Sequence, residues 1–71
     1  MMESYRVNIS IHFIGSIKPN CFVKTCHTEK GIQKFLKQSI TKPYKRLMLS
    51  IWNNNTKQYE WDLAKKILKQ K

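Results

Sequence analysis

His12, Cys21, Cys26 and His27 are the imidazole and thiol side chains of this sequence that could ligate zinc, and the two histidines are also of the type that exchanges protons during RNA cleavage. Their spacing fits neither chemistry. Structural zinc sites pair their ligands about two to four residues apart on tight turns. Here the cysteines stand further apart, and His27 directly follows Cys26, so an extended segment aims neighbouring ligands to opposite sides. On such a strand Cys21 and Cys26 lie about 16 Å apart, out of reach of a disulfide. Two reduced thiols are expected, as in a cytoplasmic protein. No feature of the sequence brings His12 to His27. Paired carboxylates, a glycine-rich phosphate loop and a Ser-His-Asp order are all missing. The sequence predicts no enzyme, no metal and no cofactor.

A second kind of chemistry is carried by charge. The 71 residues hold 14 Lys plus Arg against 4 Asp plus Glu, a formal net charge of +10. Such a surplus costs stability through self-repulsion, and its simplest reading is one half of an interaction with a polyanion. Nucleic acid comes first among these, ahead of anionic membranes and acidic proteins. All the cations but Arg6 and Arg46 are lysines. Lysine is a flexible point charge suited to phosphate in general, whereas bidentate reading of guanine edges favours arginine. AT-rich codon usage accounts for lysine over arginine, and for the many Ile and Asn, but not for the scarcity of acids. The composition therefore suggests contacts indifferent to base sequence.

The elements that must position these groups follow from periodicity. From Tyr5 to Ile14, Tyr5, Val7, Ile9, Ile11 and Phe13 alternate with Arg6, Asn8, Ser10 and His12, the pattern of a half-buried strand. Gly15-Ser16 and Pro19-Asn20 supply turn chemistry, and residues 21–26 return as an antiparallel strand whose inward face is ambiguous. Thr28 is the expected N-cap of an amphipathic helix over 28–41, with Glu29 at the positive end of its dipole, Gly31 a mild weakness, and Pro43 as the terminator. Leu47, Leu49 and Ile51 then alternate with Arg46, Met48, Ser50 and Trp52 on a further strand. Asn53-Asn54-Asn55 reads as a turn, because asparagine tolerates the left-handed conformation. Tyr59 and Trp61, two apart, favour a fourth strand over residues 56–61, with Asp62 capping a last helix that buries Leu63, Ala64, Ile67 and Leu68. The alternative is three strands and a longer C-terminal helix from 57 to 70. The preferred reading is a single α+β domain, residues 1–71, of order ββαββα: a four-stranded antiparallel sheet with two helices packed on one face.

That arrangement leaves one sheet face open. It would gather Arg6, Asn8, Ser10 and His12 with Arg46, Met48, Ser50 and Trp52, a mixture able to hold phosphate, bond sugar and base edges, and stack a base. No aromatic signature of the RRM type is present, and the element order differs from that fold. On the first helix Lys30, Lys34 and Lys37 share one side, and Lys65, Lys66 and Lys69 do so on the last. A lysine row opposite a core stripe is ordinary on a water-facing helix. Two such rows with hardly any relieving acid suggest a wall for a phosphate backbone, extended by Lys57 and Lys71.

The expected function is sequence-independent nucleic-acid binding, DNA or RNA, single or double stranded. The rival expectation is a protein-binding inhibitor or accessory factor from a phage or mobile element, anti-CRISPR-like in action, docking on a host nucleic-acid enzyme. A toxin-type RNase using His12 or His27 is a third. No apolar run approaches the ~18 residues of a membrane span, and the N-terminal stretch, interrupted by Asn8, Ser10 and His12, does not read as a signal peptide. A basic amphipathic helix on a membrane is disfavoured because its apolar side is needed for the core. Exposed sheet edges leave room for a homodimer, although no residue pattern demands one.

Overall fold

β1 (Tyr5–Phe13) is hydrogen-bonded along both edges. Its inward set includes Val7, Ile9 and Ile11, all with no exposed surface. On one side it pairs antiparallel with β2 (Asn20–Cys26), from Tyr5↔Cys26 to Ile11↔Asn20. On the other it pairs antiparallel with β3 (Tyr44–Asn53), from Tyr5↔Asn53 to Phe13↔Tyr44, with a register shift between His12 and Phe13. β4 (Gln58–Tyr59) adds two residues outside β3, giving the order β2-β1-β3-β4. The computed structural model, which describes residues 3–70, is an α+β fold of order ββαββα. Lys71, expected to extend the C-terminal charge, lies outside the described residues.

Both helices cover the same side of the sheet. α1 (Glu29–Ser39) contributes Ile32 and Leu36, and α2 (Trp61–Gln70) contributes Ala64 and Ile67, to a core shared with β1 and with Leu49 and Ile51 of β3. Thr28 caps α1 as expected: its Oγ1 accepts from the Gly31 N–H at 3.0 Å. A methyl group on Gly31 would come within 3.2 Å of that oxygen, which accounts for a glycine in a first turn. α1 stops before Pro43 can act. Ile40 leaves the helix as C-cap with its N–H on the Leu36 carbonyl (3.2 Å), and the Ser39 hydroxyl donates to Phe35 O (2.9 Å).

Two turns differ from expectation for local reasons. In the β3–β4 turn the left-handed residue is Lys57 (φ 56°) and not an asparagine. The asparagines act through their side chains instead. Buried Asn53 ends β3 and accepts from the N–H groups of Asn55 (2.9 Å) and Thr56 (3.2 Å). Asn54 and Asn55 clasp Ser4, through Asn54 Nδ2 to Ser4 Oγ (3.0 Å) and Ser4 N–H to Asn55 Oδ1 (2.8 Å). Asp62 does not cap α2. The Glu60 N–H stays on the ladder by donating to Ile51 O (2.8 Å), while its own carbonyl already accepts from the Ala64 N–H (3.0 Å). The helix therefore begins at Trp61, and Asp62 sits in its first turn, where its charge still meets the dipole.

The turn yields a paired prediction. Lys57→Gly relieves a left-handed non-glycine residue and should raise unfolding stability by about 1 kcal/mol. Asn53→Ala strips the acceptor from two turn N–H groups and should lower it by about 1–3 kcal/mol. Urea denaturation of both variants checks the opposite signs.

Candidate nucleic-acid interface

The ladder register turns the outward positions of the strands into rows. From one end of the sheet to the other these are Thr25–Arg6–Trp52–Tyr59, then Val23–Asn8–Ser50, then Cys21–Ser10–Met48, then His12–Arg46. With strands about 4.8 Å apart and a rise of about 3.4 Å per residue, they form a platform roughly 20 Å long and 14 Å wide at its first row. The register also settles β2: Phe22, Lys24 and Cys26 lie on the helix side, and Lys24 Nζ sits 5.8 Å from the Phe35 ring centre, a cation–π contact over the core's edge.

Arg6, Asn8, Arg46 and Trp52 are therefore brought together with Ser10, Ser50, Met48 and His12 on one face. An open concavity of ≈ 390 Å³ is lined by Arg6, Asn8, Ser50, Trp52 and Tyr59, and a second of ≈ 350 Å³ at the opposite end by His12, Lys45 and Arg46. Trp52 is half-buried, because Tyr59 stands edge-on to it at a centroid distance of 4.9 Å. Tyr59 in turn stacks on Trp61 at 4.8 Å with planes 17° apart. These last two rings are about half exposed, at 51% and 53%. They are residues that sequence reasoning missed as a site. The signal was the Tyr59–Trp61 spacing, but the register that sets Tyr59 beside Trp52 is a property of the hairpin.

The helix lysines are elsewhere. Lys30, Lys34 and Lys37 are exposed and line a groove of ≈ 440 Å³ with Gln33 and Gln38. Lys65, Lys66 and Lys69 are exposed on α2. Since both helices pack on the inner side of the sheet, their outward rows occupy the opposite layer from the open face and form no single belt with it. Nor are they wholly unrelieved. Lys66 Nζ lies 3.2 Å from Glu29 Oε1 and ties the two helices together, which corrects the expectation of an uncompensated row at that position. The Glu29 oxygen is sheltered and has no other polar partner in reach, so Lys66 is its neutralising charge.

The metal and acid–base candidates are dispersed. His12 Nε2 bonds the Ser16 carbonyl (2.9 Å), holding the turn in which Gly15 adopts φ 87° and Ser16 N–H returns to Phe13 O (3.1 Å). His27 Nδ1 bonds the Glu3 carbonyl (3.2 Å) at the other end of the sheet, on the order of 20 Å away by strand rise. Among the described residues no three His, Cys, Asp or Glu side chains gather closely enough to hold a metal ion. Cys21 is exposed on the open face and Cys26 buried beneath α1, both free. Burial pushes the Cys26 thiol above its ordinary value, and the Lys24 ammonium opposes this only partly. No helix among the described residues is long and apolar enough to cross a membrane.

No family model, curated protein or solved structure matches this chain.

The contrast between the thiols is measurable. A thiol reagent at neutral pH should modify Cys21 rapidly and Cys26 only after denaturant is added, since the buried group is both covered and held protonated. Two equivalents reacting at one fast rate in the folded protein would contradict this placement.

Proposed function

We propose that the protein binds nucleic acid with little sequence preference, taking it on the open face of the sheet. The observation that supports this most is the make-up of that face. It holds both arginines of the chain, a histidine, small hydrogen-bonding side chains and a group of rings, and none of its strand positions is a carboxylate. Arginine at either end of the platform supplies phosphate contacts, Asn8, Ser10 and Ser50 reach sugar and base edges, and the rings offer stacking surface. The lysines of the loops and helices raise the local concentration of any polyanion without fixing its sequence.

Binding of labelled oligonucleotides across a salt series tests the reading. Affinity should fall steeply with salt, with a log–log slope of about −0.7 per phosphate contact on a single strand or −0.9 on a duplex. Replacing Arg6 and Arg46 by Gln together should flatten the single-strand slope by about 1.4 while leaving the thermal midpoint nearly unchanged, because both side chains are exposed. No binding at low salt would remove the proposal.

One observation favours the protein-directed alternative, a mobile-element inhibitor acting on a host nucleic-acid enzyme. Ile17 is 94% exposed and Ile14 64% exposed on the β1–β2 loop, a short apolar tip at one end of the sheet. On that reading a purified nucleic-acid enzyme would be retained after nuclease treatment, and Ile17→Asp would abolish the retention.

A further inference from the structure

Resting on that nucleic-acid reading, we infer that the ligand is a single strand, and that the exposed Tyr59–Trp61 pair is the platform on which its bases stack. Three observations lead there. First, Tyr59 lines the concavity that also holds Arg6, Asn8 and Trp52 at one end of the open face, and Trp61 stacks on Tyr59, so the ring pair adjoins a guanidinium able to take a phosphate. Second, each residue is about half exposed despite stacking on the other, so the pair keeps solvent-facing surface for another flat ring. Trp52 braces Tyr59 edge-on and fixes the orientation of the pair. Third, the shape suits no groove. A major groove about 12 Å wide admits a helix or a two-stranded ribbon, whereas this face broadens to four strands and about 14 Å at the row that carries the rings. Bases inside a duplex present no free faces, so a stacking platform has a partner only where the bases are unpaired.

Both tryptophans of the chain, Trp52 and Trp61, lie in this cluster, which makes intrinsic fluorescence a reporter of it alone. An oligothymidylate of about ten nucleotides, added to the full chain at low salt, should quench tryptophan emission and bind at least about tenfold more tightly than a duplex of equal length. Trp61→Ala should weaken single-strand binding about tenfold and leave duplex binding unchanged, while Trp61→Tyr retains most of the affinity. Thermal midpoints establish that each variant is folded, and the exposure of Trp61 favours that outcome. Duplex binding as tight as single-strand binding, unchanged emission on saturation, or wild-type affinity in Trp61→Ala would each overturn the inference and leave general nucleic-acid binding standing. Loss of affinity in a Lys30→Gln, Lys34→Gln, Lys37→Gln triple variant but not in Trp61→Ala would place the strand on the helices and overturn it too. Failure of every oligonucleotide to bind would remove the parent reading with it.

Discussion

Because β1 is paired on both edges and buried on one face, its alternation of apolar and polar residues fixes what each side of the molecule is made of. Sliding that strand by one position would carry Val7, Ile9 and Ile11 into water, at roughly 1.5–3 kcal/mol for each side chain, and drive Arg6 towards the core. The total rivals the whole stability of a small domain. The register that protects the core therefore also decides that Arg6 faces Trp52 and His12 faces Arg46. Core and candidate interface are two sides of one constraint.

The helices then divide the cations. Once both pack on the inner face, their lysines are committed to the far layer, and the platform keeps the two arginines, His12 and, at its far end, Lys45. Among the described residues Lys66 against Glu29 is the ion pair that relieves this layer, and with a side chain 59% exposed its contribution to stability is small. Lys24 and Lys42 spend their length over aromatic rings, Phe35 and Phe13, which shields the rims of a thin core while keeping the charge outside. Charge thus meets ring at these two rims and again at the platform's first row, where Arg6 stands opposite Trp52.

Much of the fold was legible because the decisive signals are local. The alternation through Tyr5–Phe13, the Thr28 cap and the Leu47–Ile51 pattern each act over a few residues, and the structure places them within a residue or two of expectation. What escaped depends on partners distant in the chain. β2 reads Phe22-Val23-Lys24-Thr25, where apolar and polar residues come in pairs, so only the ladder to β1 decides which side is inward. Asp62 and Glu60 are both plausible starts for α2, and the Ile51 carbonyl chooses between them. The left-handed Lys57 follows from Asn53 folding back on Asn55 and Thr56, a geometry that asparagine's backbone tolerance does not foretell. The open face could be composed from β1 and β3 alone. Its ring cluster could not, since Tyr59 reaches Trp52 only across a hairpin whose second strand has two residues.

The central seat of β1 also gives the chain a direction in which it comes apart. Traction from the N-terminal side must break the Ser4 clasp and then shear two ladders at once, because the first strand met is the one gripped on both flanks. Traction from the C-terminal side meets α2, held among the described residues by an apolar stripe, the surface pair Lys66–Glu29 and the Trp61–Tyr59 stack, and after it the two-residue edge of β4. A processive unfolding motor would find the second route far easier, so the placement of a degradation tag, at the head or the tail, would set how long the molecule lasts.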